Sequence, residues 1–137
     1  MPLIPQWSAE DHLEIARRCI NGDCLLGFAV TEPDAGNDLN VKTSAVLEGS
    51  DWVLNGTKAL ITLGKEADVL VLLAQTDSSQ GKKGMRFFAV DTNSEGLITR
   101  HIPTHSHRSM PLHTITLDNV RVPESRKIEA TFNDIMA

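Results

Sequence analysis

The 137-residue sequence is poor in aromatic residues and in cysteine. It has no tyrosine, and aromatic residues make up only 4% of the chain. Its two cysteines, Cys19 and Cys24, have a spacing that matches neither a zinc motif nor a redox motif. We therefore expect two buried thiols and assign a function to neither of them.

The sequence also lacks an excess of positive charge and a long hydrophobic run. Thirteen Lys and Arg residues against 18 Asp and Glu give a formal net charge of −5, which argues against binding to the phosphate backbone of nucleic acids. No apolar run has the length of a membrane-spanning helix, and residues 1–7 do not resemble a secretion signal. With 41% hydrophobic and 23% charged residues, the composition predicts one globular domain in the cytoplasm, with neither nucleic acid nor membrane as a partner.

One helix is predicted near the start of the chain. Ser8 is a candidate N-cap, and Leu13, Ala16 and Ile20 recur at helical spacing. Gly22 is a typical stop signal for such a helix.

After the helix, the hydrophobic pattern changes to that of strands. The predicted strands cover residues 24–30, 41–47, 52–54, 57–62, 69–74, 85–90, 97–102 and 114–120. We expect a hairpin turn at Asn55-Gly56, because this dipeptide readily adopts the positive φ values that a two-residue turn requires. One helix followed by about eight strands predicts a mainly β protein, either a barrel or a sandwich.

A polar loop, Thr31–Asp38, follows the first predicted strand. It offers hydroxyl and amide side chains, and Gly36 would let backbone N–H groups approach a ligand, as in a cofactor or phosphate site. The alternative, which the residues alone favour, is a turn in which Asp34 and Asp38 accept hydrogen bonds from their own backbone. Calcium is a weaker interpretation, since the loop lacks the alternating acidic ligands and the distal Glu of known calcium loops.

Four histidines near the end of the chain raise the question of a metal site: His101, His105, His107 and His113. Two of them, at positions 105 and 107, have the spacing that places side chains on one face of a strand. No cysteine lies near them, and the acidic residues are not at ligand spacing. We therefore predict no metal site.

Three dispersed segments resemble motifs of one known family. Residues 27–38, GFAVTEPDAGND, resemble the T-E-P-x-A-G-S-D signature of the acyl-CoA dehydrogenases. Residues 54–62, LNGTKALIT, resemble that family's L-N-G-x-K-x-W-I-T segment. Residues 107–111, HRSMP, and 115–123, ITLDNVRVP, resemble its closing strand, which ends in V-R-V-P. Three matches in the same order are far more specific than any one of them.

The resemblance implies the fold of the family's middle domain, a β-barrel of two roughly orthogonal sheets preceded here by one short α-helix. It divides the chain into an N-terminal helical segment, 1–21, and the barrel with a short C-terminal tail, 22–137. In the family, a C-terminal helical bundle supplies the Glu that removes the α-proton of the substrate. No Glu here matches that base, so we expect no catalytic residue and no independent turnover.

The resemblance also implies an FAD site and an acyl-CoA thioester as substrate, in fatty acid metabolism. The backbone at Val30 and Thr31, with the Thr31 hydroxyl, would contact the pyrimidine edge of the flavin, and Thr62 would face flavin N5. Gly36 and Asn37 would approach the pyrophosphate and the acyl thioester. Asn37 replaces the family's usual Ser, and Leu60 replaces a usual Trp. The implied cofactor-binding residues are Phe28, Val30, Thr31, Gly36, Asn37, Leu60, Ile61 and Thr62.

Two other interpretations stay open. One is a non-catalytic binding or oligomerisation module that reuses the barrel, and the other is that partner chains supply the missing helices in trans. A barrel without its covering domains would expose apolar surface. We therefore expect a homo-oligomer, or a partner chain that covers the exposed barrel surfaces.

Overall fold

The computed structural model describes residues 10–33, 41–105 and 111–131. Helix α1 (Glu10–Ile20) precedes the strands, and 3₁₀ helices at Ser78–Gly84 and Glu124–Arg126 follow β4 and β7. This confirms the predicted mainly β fold with one short N-terminal helix. The eight strands are β1 (Leu26–Ala29), β2 (Ser44–Glu48), β3 (Asp51–Thr62), β4 (Val69–Gln75), β5 (Met85–Asp91), β6 (Leu97–Ile102), β7 (Leu112–Pro123) and β8 (Lys127–Thr131).

All eight strands of the described residues belong to one sheet. Its order is β6-β7-β3-β2-β4-β5-β8, and β1 joins it by pairing with β4. β1 and β2 both run parallel to β4. The other neighbouring strands are antiparallel.

The sheet separates two apolar clusters. The inner cluster contains Leu54, Leu70, Phe88 and Ile115, among others, and draws on most of the strands. The outer cluster contains Val71, Leu73 and Phe87, covered by Ile15 and Ala16 of α1. Successive side chains of a strand point to opposite faces, so β4 and β5 contribute to both clusters. This explains why β4 is one continuous apolar run, since residues 69–74 are all buried.

The face that α1 presents to the sheet differs from the predicted one. Ile15 and Ala16 are buried, whereas Leu13 and Ile20 are exposed. The helix lies on the outer cluster along a line through positions 15, 16 and 19, so Ala16 alone of the predicted apolar stripe is buried. The helix ends at Ile20, as expected from the following Gly22, which has a φ of 82°. The predicted cap, Ser8, lies outside the described residues.

Cys19 and Cys24 are free thiols at the end of α1 and just before β1. Cys24 is buried, and Cys19 is partly buried against the outer cluster. Burial, together with the neighbouring Cys24 thiol, raises the pKa of Cys19 to about 11. It is therefore a protonated thiol at neutral pH, which is typical of a structural cysteine.

The hairpin predicted at Asn55-Gly56 is wrong, because β3 runs through both residues without interruption. Asn55 and Asn119 of β7 are joined by two hydrogen bonds: the Asn119 backbone N–H donates to Asn55 Oδ1 at 2.8 Å, and Asn55 Nδ2 donates to Asn119 Oδ1 at 3.1 Å. A Cβ on Gly56 would lie only 2.5 Å from Thr43 Oγ1. The dipeptide therefore marks an irregularity in the β3–β7 pairing and a close backbone approach. The turn between β2 and β3 lies at residues 49–50.

The predicted number of strands is confirmed, but two of the strands differ from the prediction. The segments at residues 52–54 and 57–62 are parts of the single strand β3, and β8 was not predicted. Among the described residues, β8 pairs only with β5, at the edge of the sheet. Its charged residues on either side of Ile128 conceal the apolar pattern of a strand.

Gly96, which precedes β6, provides a test of the packing. Its φ is 88°, and a Cβ there would lie 2.2 Å from the Asp118 carbonyl oxygen. We predict that Gly96→Ala lowers the free energy of unfolding by roughly 2 kcal/mol more than Gly49→Ala does, because the clash is with backbone. Gly49 has a φ of 65° and nothing within 4 Å of its added Cβ, so its change should cost only about 1–2 kcal/mol of conformational strain. Urea unfolding followed by tryptophan fluorescence measures both, and equal losses would contradict the packing described.

Candidate functional site

A buried ion pair lies where the chain leaves β1. Lys58 Nζ is 2.9 Å from Glu32 Oε2, with the Lys58 side chain fully buried and that of Glu32 only 4% exposed. The Lys58 ammonium also donates to the Val30 carbonyl oxygen at 3.1 Å. A buried charge is costly unless it is paired and hydrogen-bonded, so these contacts tightly restrict where the three groups can lie.

The Glu32 carboxylate accepts three further hydrogen bonds. The Lys42 N–H donates at 2.7 Å, the Thr43 N–H at 3.0 Å and the Thr43 hydroxyl at 2.5 Å. Burial would raise the pKa of Glu32, but the hydrogen bonds from Thr43, Lys42 and Lys58 outweigh it and hold that pKa below 4.5, the usual value. Burial lowers the pKa of Lys58, and Glu32 partly offsets this. The carboxylate therefore joins the chain at residue 32 to the chain at residues 42–43.

The end of β1 lies beside the second half of β3. The Ala59 N–H donates to the Thr31 carbonyl oxygen at 2.9 Å. Nearer the start of β1, a Cβ on Gly27 would lie 3.9 Å from the carbonyl oxygen of Thr62, the last residue of β3. Two segments about thirty residues apart in sequence are thus brought together, and both contain predicted site residues.

Most of the predicted site residues in these two segments are accessible. Phe28 is 40% exposed and Leu60 is 58% exposed. Thr31 and Thr62 are exposed, and Val30 is half-buried. The Ile61 side chain, in contrast, lies in the inner cluster, so only its backbone can face a ligand. We call the accessible set Phe28, Thr31, Leu60 and Thr62 the outer platform.

Leu60 lies at an irregularity in β3. The register with β7 shifts between Lys58 and Ile61, and Leu60 has a φ of 57°. An extra residue lets Lys58 and Ile61 both be buried, although strict alternation would place them on opposite faces. A leucine rarely adopts positive φ, and such strain is found where the surrounding structure imposes it, often at functional sites.

Gly36 and Asn37, and with them Asp34 and Asp38, lie outside the described residues. The choice between a tight turn and a ligand-binding loop at Thr31–Asp38 therefore stays a prediction.

The histidines are only partly brought together. His101 and His113 face each other across β6 and β7, with ring centroids 5.5 Å apart. His113 is buried, and its Nδ1 lies 3.8 Å from Glu66 Oε2. His107 lies outside the described residues, and within the described ranges no group of three potential metal-ligating side chains occurs. The same part of the chain contains no helix long and apolar enough to cross a membrane.

The ion pair was not predicted from the sequence, although one signal pointed to it. Counting inward-facing positions by twos from Leu54 of β3 leads to Gly56 and then to Lys58. A lysine at an interior position of a strand implies a buried partner of opposite charge. The identity of that partner, Glu32, depends on the path of the chain and could not be counted from β3.

Comparisons with known proteins agree on one family. The family model described as acyl-CoA dehydrogenase, middle domain, matches residues 27–120. The chain is 39% identical over 111 residues to cyclohexane-1-carbonyl-CoA dehydrogenase of Syntrophus aciditrophicus, covering 80% of this chain and 29% of that protein. It is 32% identical over 130 residues to the mitochondrial long-chain specific acyl-CoA dehydrogenase of Sus scrofa, covering 91% of this chain and 30% of that protein.

Solved structures give the same result. A glutaryl-CoA dehydrogenase of Mycobacterium smegmatis, solved in complex with FADH2, superposes with a TM-score of 0.84 at 35% identity, covering 96% of this chain and 34% of that one. A probable acyl-CoA dehydrogenase of Mycobacterium abscessus superposes with a TM-score of 0.90 at 30% identity, covering 99% of this chain and 38% of that one. The chain thus spans less than two fifths of the length of each of these proteins.

Glu32 leads to a prediction about acid stability. Because its pKa is lowered in the folded chain, its stabilisation is complete above 4.5, the usual carboxyl value, and is lost as the pH falls towards the lowered folded pKa. We predict that the free energy of unfolding falls below that pH, and that the double variant Lys58→Met/Glu32→Gln lacks this component. Urea unfolding at a series of pH values measures it. Glu14→Gln, which removes an exposed carboxylate on α1, should still lose stability at low pH as the unchanged chain does. If the double variant shows the same pH dependence as the unchanged chain, the role given to Glu32 is wrong.

Proposed function

Because this chain belongs to the acyl-CoA dehydrogenase family, as its middle domain, we propose that it binds FAD and an acyl-CoA thioester. Several relatives bear names that specify CoA thioesters, and one structural neighbour contains FADH2. The observation that carries the proposal is the outer platform, in which residues from two separate family motifs lie side by side and accessible.

The chemistry of the platform suits an isoalloxazine ring. Phe28 and Leu60 offer apolar surface, while Thr31 and Thr62 offer hydroxyl groups. The nearby charges of Glu32 and Lys58 are buried and paired with each other. The donors available to a ligand are therefore neutral, and neutral donors stabilise negative charge that develops on a flavin ring without binding an anion too tightly beforehand.

Within this proposal, the backbone of Val30 and Thr31, with the Thr31 hydroxyl, holds the pyrimidine edge of the ring. Thr62 faces N5, with Phe28, Leu60 and the Ile61 backbone beside the ring. Gly36 and Asn37 approach the pyrophosphate, and Asn37 also approaches the thioester. FAD, when bound, supplies the two-electron redox chemistry.

We further propose that the chain does not turn substrate over by itself. General-base catalysis requires a carboxylate that is free to accept a proton from the substrate. Glu32, which directly follows Thr31, accepts hydrogen bonds from four donors and has a lowered pKa, so it is a poor base.

The division into a helical segment, 1–21, and a barrel with a C-terminal tail, 22–137, is part of the proposal. So are a cytoplasmic location and a role in fatty acid metabolism.

A second candidate function is that of an assembly module. Val46 and Leu47 of β2 and Ile98 of β6 are all more than half exposed. Val46 and Leu47 are successive residues and point to opposite faces of β2, so a partner packed along this strand would cover apolar surface on both faces. This observation supports a homo-oligomer or a partner chain against β2.

The flavin proposal is tested with purified protein. We predict that the chain retains FAD after desalting, seen as a flavin absorbance spectrum, and that Thr31→Val and Thr62→Val each weaken binding roughly 2–10-fold, the cost of one hydrogen bond. Fluorescence quenching of FAD measures the dissociation constants. Ser78→Ala removes a hydroxyl from the exposed 3₁₀ helix and should change nothing. A colourless chain, or variants that match Ser78→Ala, would contradict the proposed site.

The assembly proposal is tested by size-exclusion chromatography with light scattering. We predict a mass greater than that of one chain, and a shift towards the monomer in Val46→Ser/Leu47→Ser, because serine removes the apolar surface of β2. The control is Leu13→Ser, an equally exposed leucine on α1. If the unchanged chain is monomeric across a concentration series, the assembly proposal is wrong.

A further inference from the structure

The hydrogen bond from Lys58 to the Val30 carbonyl oxygen acts on the peptide that also contains the Thr31 N–H. We propose that Lys58 is a positioning residue which, through the Val30–Thr31 peptide, strengthens the Thr31 N–H as a hydrogen-bond donor towards the flavin. The inference rests on the proposed function for its ligand. It rests on the described atoms for its geometry.

The geometry begins with the peptide between Val30 and Thr31. The Lys58 ammonium lies 3.1 Å from the carbonyl oxygen of this peptide. No cis peptide bond occurs in the described residues, so the bond is trans. In a trans peptide the N–H points away from the C=O. The Thr31 N–H is therefore directed away from the buried ammonium, and Thr31 itself is exposed.

The electrostatics follow from burial. A hydrogen bond from a charged donor is about twice as strong as a neutral one. It draws electron density towards the carbonyl oxygen, so the N–H of the same peptide becomes a stronger donor, by an effect of about 10–30% per bond in a chain of hydrogen bonds. Lys58 is fully buried, which reduces the screening of its charge by water.

Glu32 keeps the ammonium in place. Its carboxylate is fixed by Thr43 and by the Lys42 backbone, and it holds Lys58 Nζ at 2.9 Å, within reach of the Val30 carbonyl. The next peptide is fixed as well, since the Thr31 carbonyl accepts from the Ala59 N–H at 2.9 Å. Both peptide groups of Thr31 are thus held before any ligand arrives, which lowers the reorganisation needed on binding.

The consequence concerns the balance between oxidised and reduced flavin. The pyrimidine edge carries more negative charge in the reduced ring, so a stronger donor there favours the reduced form. Lys58 would therefore raise the reduction potential, without contacting the flavin.

The test compares two double variants that remove the ion pair without leaving one charge alone. In Lys58→Met/Glu32→Gln the Val30 carbonyl loses its donor, and in Lys58→Gln/Glu32→Gln it can keep a neutral donor. Replacing a buried ion pair by neutral groups is often close to neutral for stability, so at least one variant should fold. Lys82→Met removes the same charge from the exposed 3₁₀ helix and serves as the control.

The first readout needs no flavin. In ¹H–¹⁵N NMR spectra we expect the Thr31 amide proton to move upfield in the order unchanged chain, Gln variant, Met variant, with no shift in Lys82→Met. A purely structural role would not produce this graded order. If the Thr31 resonance is the same in the unchanged chain and in a folded double variant, the inference is overturned.

The second readout uses the flavin-loaded chain. We expect the Met variant to lower the preference for reduced over oxidised flavin about tenfold, which for a two-electron couple is about 30 mV. If the unchanged chain binds no flavin, the proposed function fails while the amide shifts still test the polarisation. If flavin binds and the potential of the Met variant equals that of Lys82→Met, the proposed function stands and the inference about Lys58 is wrong.

Discussion

Burial of the Lys58 charge is the constraint on which the site depends. An ammonium group buried beside a β-sheet is tolerated only with a carboxylate and further acceptors around it. Glu32 and the Val30 carbonyl provide them, and both belong to the segment that follows β1. That segment must therefore lie against the middle of β3, and the accessible Thr31 comes to lie beside Ala59 for the same reason. One electrostatic requirement thus determines how two distant parts of the chain meet.

The irregularities of β3 complete this arrangement. A regular strand would alternate strictly, so Lys58 and Ile61 could not both lie on the same face of the sheet, opposite Ile115 and His113 of β7. The register shift between them resolves the conflict, at the cost of a positive φ at Leu60. The shift also leaves the Leu60 side chain exposed next to the Thr31 segment. The extra residue in β3 therefore accounts both for the inward-facing charge of Lys58 and for the exposed apolar side chain of Leu60.

Much of the fold follows from local patterns, but not all of it. Alternation and apolar runs predicted β4, β5 and β7, because these strands have a clearly buried face, and they predicted β6, in which half-buried and exposed residues alternate over most of the strand. The hairpin prediction at Asn55-Gly56 was wrong because a dipeptide that permits a turn also permits an irregularity within a strand pair. The glycine serves the close approach to Thr43, which is a tertiary contact. β8 was missed because an edge strand paired on one side needs few apolar residues.

The site shows the same division between local and tertiary information. Motif resemblance identified the two segments that contain Thr31 and Leu60, and the described contacts place these segments side by side. It did not identify why they stay there, because Glu32 and Lys58 are 26 positions apart and only the folded chain brings them to 2.9 Å. Their charges cancel behind the surface, so the accessible side of these segments keeps neutral donors. The buried pair thereby sets the polarity of the groups that the proposed function assigns to flavin binding.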